Sequence, residues 1–417
     1  MSAGLRKSVA SLQIPNFRRF FSGQVVSVSG SWMQTVAEAW LVLSLTSSGV
    51  ALGVSTALQF LPILLLGAWG GVLADRFPKR RLLIVTQTLM IIPALALFAL
   101  TVTGVVTLWM VYALVLMRGL VTAIDNPTRQ SFISEMVGPA SVVNAVSLNS
   151  VLVQTARIAG PAAAALVIAL SGVAACFALN ALSFGAMILA LRGMDPDKLH
   201  DAPPASRAPG QIREAIAVVR ADRDLWIPLA LMGAVSMLAY NFQTVLPLLA
   251  KYTFHGSAST YALLMGTMGA GAIAGALVNG ARGRTSPALI SVSAIVFGGA
   301  LGLAAIAPTL DLVLAALVVV GAGSVTFTSA VNAQLQLAAP PALRGRVMAL
   351  YGVVFLGSTP VGAPLLGFIC QHVSPRAGLG VGAAAAMLAG VAALVGAAHH
   401  SAHHAAGPRA ATHPFAT

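Results

Sequence analysis

Twelve stretches of about 20 or more mostly apolar residues, separated by short polar turns, run through this 417-residue sequence. A helix rises about 1.5 Å per residue, so each stretch can cross the roughly 30 Å hydrocarbon core of a bilayer. The windows fall at about 20–45, 49–74, 82–103, 107–132, 143–170 and 172–192, then at about 225–250, 257–279, 287–307, 310–336, 346–370 and 377–398. Only 8% of the residues are charged, against roughly a quarter in a soluble domain, which leaves too little polarity for a water-facing surface. With no water in the bilayer to satisfy backbone groups, such spans must be helical unless they close into a barrel. The pattern predicts an all-α membrane protein with twelve transmembrane helices.

The windows divide six and six. The expected organisation is an N-terminal segment over 1–19, a six-helix bundle over 20–192, a linker over 193–224, a second six-helix bundle over 225–398 and a tail over 399–417. Pro203, Pro204 and Pro209 mark the linker, followed by a surface helix from Gln211 to Arg220. An internal repeat supports the division: Gly71, Leu73 and Asp75 recur 204 positions later as Gly275, Leu277 and Asn279. At a shift of 202, Pro139, Leu148 and Gly160 meet Pro341, Leu350 and Gly362. The two bundles are therefore read as pseudo-symmetric copies of one unit, an arrangement in which a transporter's substrate site lies between the halves near the midplane.

Charge placement orients the chain. Threading the loops alternately, one set holds 20 of the 24 basic residues and the opposite set only Lys251 and Arg376; Arg118 and Arg157 lie within spans. By the positive-inside rule, both termini and the linker are cytoplasmic, and the net charge of +13 reflects topology rather than nucleic-acid binding. The basic N-terminus, through Arg6, Lys7, Arg18 and Arg19, leads into what reads as an uncleaved first span. Cys176 and Cys370 both sit in apolar stretches, where packing is their expected role and no disulfide framework is supported.

Charges inside spans are functional candidates by default, since each costs about 2.5–3.5 kcal/mol on insertion scales. Glu38 is the acid of the first span, Arg118 belongs to the fourth and Arg157 to the fifth. Counted from the external ends, their depths agree to within about 10 Å, so a shared cavity is expected. Glu38 is assigned as proton carrier, with Arg118 as its partner or as counter-ion to substrate; the competing reading is a charge pair that only locks helices together. Arg118, Asp125 and Arg129, spaced by seven and four, share one helical face, and Asp125 and Arg129 are expected to partner the turn around Asp75. Gln154, Asn180, Tyr240, Asn241 and Gln243 interrupt apolar runs and either line a polar cavity or bond helix to helix. Two arginines against one glutamate in the spans predict tolerance of anionic organic substrates.

Three segments carry a family resemblance. Gly71 to Arg81 resembles the loop signature of the major facilitator superfamily, with Pro78 where a glycine is usual. Gly71 is expected to permit close helix approach, and Gly71, Asp75, Arg76, Arg80, Asp125 and Arg129 to form a cytoplasmic gate. Leu114 and Arg118 resemble the fourth-helix motif, whose arginine is associated with proton coupling, although Thr122 replaces a glycine. Arg157 to Ala165 resembles the fifth-helix motif of proton-coupled exporters, its core being Gly160 and Pro161; Pro161 bends the helix and small residues let it pack tightly. With Asn16 to Phe20, Gly30 to Met33, Gln59 to Pro62, Asp125 to Gln130 and Leu343 to Val347, the likeness spans about 16–398. It points to the subgroup that includes the enterobactin exporter and related drug efflux proteins.

That resemblance implies the major facilitator fold and a proton-coupled exporter of a small organic molecule, siderophore or drug-like, in a bacterial inner membrane. Its partners are substrate, protons and lipid; it is expected to work as a monomer, with no cofactor and no nucleic acid. The alternative is an importer or uniporter on the same fold, and more distantly a non-transporting sensor. An enzyme would need a converging set of nucleophile, base or metal ligands at one depth, and the spans contain no histidine and no such set. His399, His400, His403 and His404 in the tail have a spacing that a metal could use, but Gly, Pro and Ala surround them; the expectation is a mobile tail and no metal.

Overall fold

The structure is a computed structural model that describes residues 10–200, 211–282, 286–340 and 343–405. Arg6, Lys7, the three linker prolines, Arg284, Pro341 and the tail beyond 405 lie outside the described residues. Among those described there are helices and turns but no strand. In chain order the helices are α1 Pro15–Thr46, α2 Gly49–Arg76, α3 Lys79–Val102, α4 Leu108–Val137, α5 Val142–Arg192, α6 Gln211–Ala221, α7 Arg223–Ala239, α8 Phe242–Leu248, α9 Ala258–Arg282, α10 Pro287–Ile306, α11 Leu310–Ala338, α12 Arg344–Gly357, α13 Thr359–His372 and α14 Pro375–Ala405. Ten helical segments among the described residues are long and apolar enough to cross a membrane. One of these is the 51-residue α5, interrupted at Gly172, whose φ of 80° and ψ of 175° are non-helical; the break falls where the sequence reading divides its fifth window from its sixth. α1 is not among the ten, its run being diluted by Asn16, Arg18, Arg19, Gln24, Gln34 and Glu38.

Local chemistry fixes the ends. Pro15 opens α1 at a position where a missing N–H costs nothing. Ser47 closes α1 in the left-handed region at φ 52°, and Ser48 caps α2 by accepting from the Ala51 N–H. Several helices overrun their apolar windows: α1 starts at Pro15 rather than about 20, and α4 continues to Val137 rather than about 132. α14 runs to Ala405, so the first part of the expected mobile tail is helical. In the seventh window Tyr240 and Asn241 separate α7 from α8, and a π-helical turn, Leu249–Thr253, follows.

Helices α1 to α5 pack mainly on one another, as do α7 to α14; the sets meet where α2 lies on α13 and α5 on α9. Lipid tails are as apolar as leucine, so association rests on close packing, and glycines supply it. A Cβ on Gly70 would stand 2.0 Å from the Ala123 carbonyl oxygen in α4, whereas one on Gly71 would meet nothing within 4 Å. The close approach expected at Gly71 is thus made by Gly70. The repeat is visible in three dimensions: Gly160 seats α5 on α1 beside Trp32 and Ser29, and Gly362 seats α13 on α7 against the Met237 carbonyl. Outward, Leu170, Leu182 and Ile306 expose 75%, 70% and 74% of their surface, an apolar belt that suits lipid and not water. Cys176 and Cys370 are buried.

The adjacent glycines provide a test. Gly70→Ala is expected to destabilise by about 1–3 kcal/mol, the usual range for overpacking, and to melt below wild type in detergent, while Gly71→Ala melts at or above it. Equal melting temperatures would refute the contact.

Candidate functional site

A cavity of about 460 Å³ lies between the two helix sets, within the range of small-molecule sites. Arg118, Asp125, Arg129, Arg157, Tyr240, Asn241 and Gln243 all line it. Gln154, one turn before Arg157, does not. Toward the face carrying the α6 linker helix, the lining continues through Gln24, Gln130 and Asn149, all in the linker-side parts of their helices. Gln24 Nε2 donates to Asn149 Oδ1 at 2.7 Å, joining α1 to α5 there.

On the opposite face the sets are tied together. Gly49 of α2 and Gly367 of α13 are so close that a Cβ on either would collide with the other's carbonyl, at 2.6 Å and 2.2 Å. The α1–α2 turn is held from both ends by the second set. Lys251 Nζ donates to the Leu43 carbonyl at 2.5 Å and to Ser47 Oγ at 3.2 Å, and the Tyr252 hydroxyl donates to the Ser47 carbonyl. Gln371 Oε1 accepts from Ser48 Oγ at 2.8 Å and from the Val50 N–H at 3.1 Å. Donors therefore meet the carbonyl end of α1 and an acceptor meets the amide end of α2, the polarity that helix termini favour. Lys251 is one of two basic residues on a face that otherwise excludes them, a signal that could have picked it out.

Glu38 and Arg118, predicted at similar depth, are in direct contact. Arg118 Nη2 donates to Glu38 Oε2 at 2.5 Å, with the two side chains 8% and 5% exposed. A chain of amides extends the pair: Gln34 Nε2 donates to Glu38 Oε1 at 2.7 Å, Asn180 Nδ2 to Gln34 Oε1 at 2.5 Å, and Ser183 Oγ to Asn180 Oδ1 at 2.8 Å. The network spans α1, α4 and the second arm of α5. Gln34, which the sequence reading passed over, sits one helical turn before Glu38 on the same face.

Asp125 accepts from Thr86 Oγ1 at 2.7 Å and Gln87 Nε2 at 2.8 Å of α3, and its other oxygen accepts from Arg129 Nε at 3.0 Å and Nη2 at 2.7 Å. Asp125 and Arg129 are thus bonded to each other, and Asp125 to α3, where Thr86 and Gln87 face α4 at its level. Asp75 and Arg76 are exposed at the end of α2. Arg80 donates to the carbonyls of Leu191 at 2.7 Å and Arg192 at 2.8 Å, capping the end of α5, and Lys79 pairs with Glu135 of α4.

Arg157 is apart from Glu38. Its guanidinium carbon lies 5.2 Å from the centroid of the Trp32 ring. Pro161 removes the N–H that would have bonded the Arg157 carbonyl one turn back, and Gly160 admits Trp32, whose Cβ stands 2.4 Å from where a Cβ on Gly160 would be. Tyr240 donates from its hydroxyl to the Ser324 carbonyl at 2.7 Å, and Asn241 Nδ2 to the Met237 carbonyl at 2.7 Å, tying up a backbone group freed by the break between α7 and α8. Arg118 Nε, Arg129 Nη1, Arg157 Nε, Asn241 Oδ1 and Gln243 Oε1 are buried with no hydrogen-bond partner.

Breaking a buried ion pair from one side costs about 3–5 kcal/mol, whereas removing both members is far milder. Arg118→Met is therefore expected to melt well below wild type, and Glu38→Gln combined with Arg118→Met to recover most of the loss. A double variant no better than the single would contradict the pairing.

The model of a protein family described as "transmembrane secretion effector" matches residues 6–413. The staphyloferrin A transporter of Staphylococcus aureus is 26% identical over 62% of this chain and 65% of its own length, so the chain spans just under two-thirds of that relative. Macrolide efflux protein A of Streptococcus pyogenes is 24% identical over 86% of this chain and 90% of its own. The enterobactin exporter EntS of Salmonella typhimurium is 25% identical over 88% of each. Among solved structures, a bacterial homologue of the human lysosomal transporter Spinster, inward-facing and unoccupied, superposes with a TM-score of 0.70 at 16% identity, covering 92% of this chain and 95% of that one. The nucleoside transporter NupG gives 0.69 at 13% identity over 91% and 98%. With a family match over nearly its whole length and the helical architecture of solved transporters, the chain belongs to the transmembrane secretion effector family of major facilitator transporters.

Proposed function

We propose that this protein is a proton-driven exporter of a small organic molecule, working by alternating access. The bundles over 20–192 and 225–398, six spans each and pseudo-symmetric, rock about the cavity in a bacterial inner membrane. Both termini and the linker face the cytoplasm, in keeping with the concentration of basic residues there. In the conformation described, the opposite face is shut by Lys251, Tyr252, Gln371 and the Gly49–Gly367 contact, so substrate enters from the cytoplasm. Gly71, Asp75, Arg76 and Arg80 gate that side, with Asp125 and Arg129 bracing α4 behind them, and Gly160 and Pro161 shape the flank of α5.

The observation that carries the reading is the buried Glu38–Arg118 pair, with Arg118 lining the cavity. A carboxylate that faces a single guanidinium and a neutral amide chain can exchange that partner for a proton as the cavity changes access. Protonation frees Arg118; deprotonation restores the pair. The named relatives, a staphyloferrin A transporter, a macrolide efflux protein and an enterobactin exporter, support a siderophore-like or drug-like solute.

Inside-out vesicles with an imposed proton gradient test this directly. Uptake of one or more members of a panel of siderophores and macrolides is expected to collapse with an uncoupler and in Glu38→Gln. Proton-driven uptake that survives in Glu38→Gln would remove that residue's role. Uptake that ignores the gradient would replace exchange by uniport.

A further inference from the structure

The charges around the cavity are matched except for one. Glu38 neutralises Arg118 and Asp125 neutralises Arg129, while among the described residues no carboxylate reaches Arg157. A guanidinium among apolar helices with no carboxylate partner is costly to bury. Its Nε has no partner, and its surroundings are aromatic. Trp32 lies under the guanidinium at 5.2 Å, and Tyr240 lines the same cavity. Phe355 completes the group, 5.5 Å edge-on from Tyr240 and stacked at 6.0 Å on Tyr351. Two further buried atoms without partners, Asn241 Oδ1 and Gln243 Oε1, belong to residues lining the same cavity. The Arg157-to-Pro161 stretch builds this arrangement, since Gly160 is what lets Trp32 approach α5.

We propose that Arg157 is the recognition site for the anionic head of an aromatic organic acid, whose carboxylate or ionised phenol meets the guanidinium while its ring packs on Trp32, Tyr240 and Phe355. The planar fork suits a carboxylate through two parallel hydrogen bonds. Asn241 and Gln243 form part of the wall beside it. A cation at this place would be repelled, and a neutral molecule would leave the charge unanswered. The inference rests on the reading of the cavity as the substrate's site, but not on proton coupling or on export.

Calorimetric titration of the full chain in lipid nanodiscs tests it with three probes of one shape: 1-naphthoate, the uncharged 1-naphthamide and the cationic 1-naphthylmethylammonium. Naphthoate is expected to bind at least tenfold more tightly than the amide, and the cation weakest. Arg157→Gln is expected to erase the difference between naphthoate and amide, and Arg157→Lys to keep part of it, because the charge remains and the fork is lost. Arg157→Gln should also melt no lower than wild type, since it removes an unanswered charge. Equal binding of naphthoate and amide to wild type, absence of naphthoate binding, or unchanged discrimination in Arg157→Gln would each overturn the proposal. Discriminating binding without any proton-driven flux in vesicles would sink the export reading and leave this site standing; flux without naphthoate binding would do the reverse.

Discussion

Inside a bilayer a polar side chain has no water as an alternative partner, so each one is bonded within the protein or is left paying for its burial. That constraint organises this molecule. Glu38, Arg118, Gln34, Asn180 and Ser183 satisfy one another across α1, α4 and α5. Asp125, Thr86, Gln87 and Arg129 do the same between α3 and α4. What these networks leave over, above all Arg157 with Asn241 and Gln243, collects at the cavity. Thr101 Oγ1 and the Tyr261 hydroxyl, away from the cavity, are also left without a partner, so most but not all of the unpaired polarity is gathered there.

The same economy appears at the boundary between the sets. Helix ends carry unsatisfied amides and carbonyls, and the α1–α2 turn presents both. Lys251 and Tyr252 answer the carbonyls and Gln371 the amide, so this face is held by helix-capping contacts of a kind that water also makes. The glycine contacts beside them, Gly49 on Gly367 and Gly53 on Ala363, are short-range backbone contacts. Within each set glycines make the same kind of close contact: Gly160 on α1 and Gly362 on α7 bring helices together in equivalent pairs.

Much of the fold was legible because apolar run length acts locally in sequence. Gly172 marks a turn between two apolar runs, and the windows met there. Depth along the membrane could also be counted from the sequence, and it placed Glu38 level with Arg118. Lateral position could not: Arg118 and Arg157 line one cavity, as equal depth suggested, but that Arg157 stands against Trp32 was not legible. Trp32 and Gln371 matter through partners far along the chain, Arg157 and Ser48, and nothing in their own neighbourhood announces it, whereas Gln34 bonds Glu38 one turn on as well as distant Asn180. Gly71 was chosen over Gly70 for the same reason: which of two adjacent glycines faces α4 depends on helix rotation, and that is set by packing.

Rocking of the two sets about the cavity is the claim on which the account depends, and paired distances measure it. Spin labels at Thr103 and Thr309 report the opposite face, and labels at Arg81 and Gln336 the linker face, all four being exposed positions, in a chain whose two cysteines are replaced. Electron–electron double resonance on each pair, with Lys251 intact and with Lys251→Met, reads the response to loosening one closure. The account predicts a reciprocal change, the Thr103–Thr309 distance lengthening while the Arg81–Gln336 distance shortens. A lengthening at the opposite face with no change at the linker face would mean local fraying, and would contradict alternating access about this cavity.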